Sequence, residues 1–130
     1  MRKPFYILLA LMMCLMACSK GNEATQPASD AAVEYYTLLV DSQYNEYVKH
    51  IYFKGPIPES YREQIIENTR MFVRDIDEKH RGLKSVSVSR ATENKEMGGV
   101  DVFLNVTFGD SLVEEIVVPM IKSGDIWLMK

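Results

Sequence analysis

The sequence is short of most features that would assign a chemistry. No basic run extends beyond Arg2 and Lys3, and 15 Lys plus Arg stand against 18 Asp plus Glu for a net charge of −3. The electrostatic footprint required by a phosphate backbone is missing, so nucleic acid is not an expected partner. Gly-x-Ser-x-Gly, P-loop and dinucleotide glycine patterns are all absent, which leaves nucleophilic and phosphate-transfer readings without support. The two histidines, His50 and His80, fall on different predicted helices with neither Glu-x-x-His nor His-x-x-x-His spacing. A zinc site lacks its ligands, and neither metal nor cofactor is expected. With 7 Gly, 5 Pro, 47% apolar and 25% charged residues, the 130-residue chain has globular composition, and its length suits one domain rather than a disordered or collagenous chain.

What is present begins with an address. Arg2 and Lys3 precede an almost wholly apolar stretch over residues 5–17, and polar residues follow Cys18. This is the build of a secretory signal. A membrane span would need about 20 apolar residues to cross roughly 30 Å of hydrocarbon, and this run is shorter. Leu15-Met16-Ala17-Cys18 resembles the bacterial lipobox, with Met16 where a small residue is usual. The resemblance implies that residues 1–17 are a lipoprotein signal peptide and that Cys18 is the lipidation site, acylated on its thiol and its new amino group. The mature chain would carry 13 basic against 18 acidic residues, net −5, and one cysteine consumed by lipid. No disulfide would then be available, so stability must come from packing. Several acyl chains on one residue anchor a protein firmly in a membrane. Ser19, standing where Asp would signal inner-membrane retention, favours the outer membrane as the expected location.

Residues 18–29 are small and polar without an apolar period, and read as a flexible tether. Residues 30–130 remain as the folded domain. Ser29 or Asp30 can cap a first helix carrying Val33, Tyr36, Leu39 and Val40 at helical spacing. Tyr44, Tyr47, Val48 and Ile51 predict a short second helix ending before the loop Gly55-Pro56-Ile57-Pro58. Beyond it Tyr61, Ile65, Ile66, Thr69, Phe72, Val73, Ile76 and His80 mark one wide face of a long helix that Gly82 can end. The period then switches to two. Ser85, Ser87 and Ser89 alternate with Val86 and Val88; residues 100–108 place Val102, Leu104, Val106 and Phe108 on one face. Gly109-Asp110-Ser111 closes a hairpin into a third strand over 112–121, and Ser123-Gly124-Asp125 turns into a last one over 126–130. Pro119 suggests an edge or a bulge. The expected class is α+β, N-terminal helices packed on a curved four-stranded antiparallel sheet.

This order of elements, with the ending Val118-Pro119-Met120-Ile121-Lys122-Ser123-Gly124-Asp125-Ile126-Trp127, resembles the cystatin-like, NTF2-like small lipoproteins of bacteria, of Bacteroidetes type. The resemblance covers residues 30–130 and implies their fold. That superfamily includes isomerase-like enzymes and many pocket-bearing or adaptor domains without chemistry, so fold alone does not choose a function.

The leading expectation is a lipid-anchored, non-catalytic domain of the cell envelope, facing the periplasm or the surface, that binds a small apolar ligand or a protein partner. An isomerase-like enzyme is the alternative. It would need a carboxylate base and a phenol in an apolar cavity, which Glu114, of inward parity, and one of Tyr36, Tyr44, Tyr47, Tyr52 and Tyr61 could supply. Glu115 beside it reads as solvated. A structural subunit of an envelope assembly is the third option. Asp110-Ser111-Leu112 resembles the O-glycosylation sequon of exported Bacteroidetes proteins, which makes Ser111 a candidate acceptor, although an Asp-Ser turn explains the same residues. Phe103, Val113, Val117 and Ile121 have outward parity. Such an apolar outer face predicts a homodimer or an envelope partner. Trp127 is expected to pack at least partly into the domain.

Overall fold

The computed structural model describes residues 24–130. They form three helices and four strands: α1 (Gln26–Val40), α2 (Tyr44–Lys49), α3 (Glu59–His80), β1 (Leu83–Asn94), β2 (Gly99–Phe108), β3 (Val113–Ser123) and β4 (Ile126–Met129). The strands make one antiparallel sheet in the order β1-β2-β3-β4, a meander, with the helices laid on it.

β2 shows why. Val100, Val102, Leu104, Val106 and Phe108 are buried, while Asp101, Phe103, Asn105 and Thr107 between them are half-buried. A side-chain period of two leaves such a strand one way to lie, apolar set toward the helices. β3 matches it without a register shift, pairing Val102 with Val118, Leu104 with Ile116 and Val106 with Glu114. Pro119 therefore resets no parity. It sits opposite Asp101, and its carbonyl accepts the Lys130 amide at 2.9 Å. The irregularities lie in β1, between Leu83 and Ser85 and between Val88 and Arg90.

α1 starts earlier than a cap at Ser29 or Asp30 would place it. Pro27 occupies its first turn, and Ala28 and Ser29 are already buried, so residues 26–29 belong to the helix rather than to the tether. Its inward stripe is Ala28, Ala32, Tyr35 and Leu39, one position off the Val33 and Tyr36 expected to lead it. Alanines carry little hydrophobic weight in a sequence, yet their size lets the helix backbone come close to the sheet. They join Tyr35, Val100, Val102, Leu104, Val118, Met120 and Met129 in the core, with Trp127 packed partly against it. The core side chains all come from residues 28–129.

The last strand is tied from both sides. Met129 faces inward opposite Met120, Leu128 stands opposite Ile121 and Trp127 opposite Lys122. The Tyr35 hydroxyl donates to the Trp127 carbonyl at 2.6 Å, and residues 50–52 run along the free side of β4, with Tyr52 N–H donating to the Met129 carbonyl at 2.6 Å. β4 pairs only with residues from Met120 to Ser123, so the first half of β3 has β2 on one side and no strand on the other.

α3 departs most from expectation. Its wide apolar face predicts a buried helix, but of its 22 residues only Val73 is buried, and Phe72 is 60% exposed. Pro58, at the end of the preceding loop, is its N-cap. At the other end Arg81 takes a left-handed φ of 61° and Gly82 follows at 88°, which turns the chain into β1.

Candidate functional site

The half of the sheet that α1 leaves uncovered is roofed by α3, and a cavity of about 450 Å³ lies between them. Helical spacing brings Phe72, Ile76 and His80 down one line of the roof and Asp75 and Lys79 down the next. Leu83, Val106, Phe108 and Ile116 form the floor, Tyr36 and Leu39 of α1 the end wall, and Glu114 of β3 also lines it. A volume of this size, apolar within and polar at a few places, fits the usual small-molecule site.

The C-terminal end of α3 is clamped to the β2–β3 turn. Gly109 N–H donates to the Gly82 carbonyl at 2.8 Å and Asp110 N–H to the His80 carbonyl at 3.0 Å. The His80 ring stacks on Phe108 at 4.8 Å between centroids, and its Nδ1 lies 3.0 Å from Asp110 Oδ2. His80 together with the Leu112 amide holds the Asp110 carboxyl below its ordinary 3.8. Lys79 pairs with Asp75 at 3.0 Å.

Beside the cavity a second crevice of about 220 Å³ opens between α3 and the first two helices, sharing Tyr36, Leu39 and Phe72 with it. Tyr36 and Tyr47 meet there edge to face at 5.8 Å. Burial pushes both phenols above 10.0, and Tyr47 is raised further by its contact with Tyr36. Both are neutral hydroxyls at physiological pH.

Of the residues singled out in the sequence, Tyr36 and Glu114 come to one cavity, and Tyr47 joins Tyr36 in the adjoining crevice. The other tyrosines do not: Tyr44 lies under the Arg70 guanidinium at 5.7 Å, and Tyr61 meets Phe53 at 6.3 Å. Tyr52 runs beside β4. Glu115 is on the opposite face, where Ser89 Oγ donates to it at 2.7 Å. His50 stacks on Tyr35 at 4.1 Å. His80, on the wide face that the spacing assigns to the long helix, is a cavity residue. Its place one turn beyond Ile76 and two beyond Phe72 was the available signal.

Ser111 is exposed in its turn at a φ of 73°, and Asp110 Oδ1 accepts the Leu112 amide at 3.1 Å, the local bond of an Asp-Ser turn. On the outer face Val113 and Val117 are 60% and 51% exposed. Ile121 is half-buried there, and Phe103 lies under the Arg90 guanidinium, 3.9 Å from its ring centroid. Cys18 and the signal segment lie outside the described residues. Among the described residues no group of three His, Cys, Asp or Glu side chains could hold a metal, and no helix is long and apolar enough to cross a membrane.

Helices over an open four-stranded antiparallel sheet, with a cavity beneath the longest helix, define an NTF2-like fold. The same fold is seen in a Campylobacter jejuni protein of known crystal structure, provisionally named an NTF2-like transpeptidase. It superposes with a TM-score of 0.61 over 77% of this chain and 94% of its own, at 15% sequence identity. No family model and no curated protein matches the sequence.

Proposed function

We propose that this is a lipid-anchored lipoprotein of the bacterial cell envelope, non-catalytic, that binds a small apolar ligand in the cavity between α3 and the sheet. The cavity carries the reading: about 450 Å³ of space over an apolar floor of Leu83, Val106, Phe108 and Ile116, within the size range of small-molecule sites. The anchor rests on the lipobox-like residues ending at Cys18. α1 fits it geometrically. It begins beside the β1–β2 turn, where Ala24 lies near Asn94 and Gly98, and ends at the cavity wall with Leu39. Its 15 residues span about 22 Å at 1.5 Å per residue. A chain tethered upstream of Ala24 thus holds the cavity well away from its attachment point.

Catalysis is less well supported. An isomerase-like site wants a carboxylate in a dry pocket, whereas Glu114 is exposed. The transpeptidase activity in the Campylobacter protein's name is not part of this reading, because a likeness at 15% identity reaches the fold alone. The outer face supports a second contact, a homodimer across Val113 and Val117, which stand well exposed.

Two measurements test the reading. Cells making the wild-type chain should yield a palmitate-labelled, detergent-phase protein, and Cys18→Ala should abolish the label; processing at another site, insensitive to globomycin, would refute the anchor. Residues 18–130 carrying Cys18→Ala should bind apolar probes, with amide shifts confined to the cavity walls. Phe108→Trp, which narrows the cavity, should weaken them.

A further inference from the structure

The charges around the cavity do not cancel. Lys79 is paired with Asp75 at 3.0 Å and the His80 ring with Asp110 at 3.0 Å, so both basic side chains are engaged. Glu114 is left over. It stands opposite Val106 on the face that floors the cavity. Among the described residues no hydrogen bond or ion pair reaches its carboxylate. We propose that the cavity selects amphiphiles with a cationic head, an alkyl- or arylamine, over fatty-acid-like anions, and that Glu114 is the residue that selects.

This rests on the ligand-binding reading above and adds the head group to it. An apolar tail over Ile76, Val106 and Ile116 is removed from water. An ammonium at the tail's end then has a free carboxylate to donate to, at a position where solvent still reaches the pair. A carboxylate head in the same place meets Glu114 as a like charge, and to find a cation it must draw Lys79 away from Asp75. Exposed ion pairs contribute little, which sets the expected discrimination at about fivefold rather than orders of magnitude.

Octylamine, 1-octanol and octanoate share a tail and differ in head charge. Titrated at neutral pH and low salt into residues 18–130 with Cys18→Ala, followed by amide shifts and calorimetry, the amine should bind about fivefold tighter than the alcohol and octanoate more weakly than either. Glu114→Gln should bring the amine to the affinity that the same variant has for the alcohol. Glu115→Gln, on the opposite face, should alter none of the three. Octanoate binding as tightly as octylamine, or an amine preference surviving Glu114→Gln, would overturn the selectivity while the cavity reading stands. Failure of all three probes, octanol included, to shift cavity amides in a cooperatively melting protein would overturn both.

Discussion

Replacing Gly109 by alanine should loosen the long helix from the sheet. Gly109 opens the β2–β3 turn, and its amide donates to the Gly82 carbonyl at 2.8 Å, just past the end of α3. A Cβ at this position would run into the Arg81 carbonyl oxygen, a backbone atom that cannot rotate aside. The φ of Gly109 is not among the positive ones, so the penalty is steric rather than conformational. Overpacking of this kind costs about 1–3 kcal/mol, and the hydrogen bond displaced with it about 1 kcal/mol. The sum, roughly 2–4 kcal/mol, is a large part of the 5–15 kcal/mol that holds a typical domain. At about 4–8 °C per kcal/mol for a domain of near 100 residues, Gly109→Ala should lower Tm by at least about 8 °C. Gly55→Ala is the control, since a Cβ there meets nothing within 4 Å. Its Tm should stay close to that of the parent. Thermal melts followed by circular dichroism compare the three proteins. A Gly109→Ala protein melting together with the Gly55→Ala control would refute the idea that this close approach fixes α3.

The Asp110 carboxyl, held below 3.8 chiefly by its bond to His80, stabilises the fold above the ordinary carboxylate range and ceases to do so as pH falls through its lowered value. Asp110→Asn should therefore flatten the acid limb of a Tm-against-pH curve, and an unchanged limb would contradict the clamp. Trp127, half-buried against the core, should emit to the blue of the unfolded chain and be only partly quenched by acrylamide; its truncation to Ala should cost less than the about 3–5 kcal/mol of a fully buried aromatic. Light scattering at high protein concentration should give a mass above the monomer that Val117→Glu or Phe103→Lys lowers. A monomeric mass that neither substitution changes removes the homodimer.

Sheet and site differed in how far the sequence disclosed them. Strict alternation from Val100 to Phe108 states which face of β2 is buried, and the turns at Gly109 and Gly124 bound the meander, so the sheet follows from local pattern. On α1 the spacing marks Leu39 but leads with Val33 and Tyr36 in place of Ala28, Ala32 and Tyr35, because the value of an alanine lies in close approach rather than in transferred area. Parity sets no register for β4, because Ile126, Trp127 and Leu128 are all apolar; the Tyr35 bond to the Trp127 carbonyl and residues 50–52 fix it, and both are far away in sequence. Glu114 could be assigned to the inner face by parity alone. The cavity itself could not be read, since an apolar face on α3 looks the same whether it meets a sheet or a gap.

That gap concerns stability as much as binding. α3 is about 33 Å long at 1.5 Å per residue, and a helix of this length ordinarily draws its stability from a packed apolar stripe. Here the helix is held near its start, where Tyr61 meets Phe53, and at its end, where His80, Gly82, Gly109 and Asp110 interlock. Between these points Phe72 and Ile76 face the cavity instead of the sheet. The core under α1 is complete without them, since its buried members come from α1 and β2–β4. The domain can therefore keep its sheet while α3 has little to pack against. A molecule seated in the cavity, as proposed, would supply the missing contacts, and by binding the folded form it would add RT ln(1 + [L]/Kd), about 2.7 kcal/mol at a hundredfold excess over Kd. On that proposal the long helix is the part of the fold that a ligand would steady most.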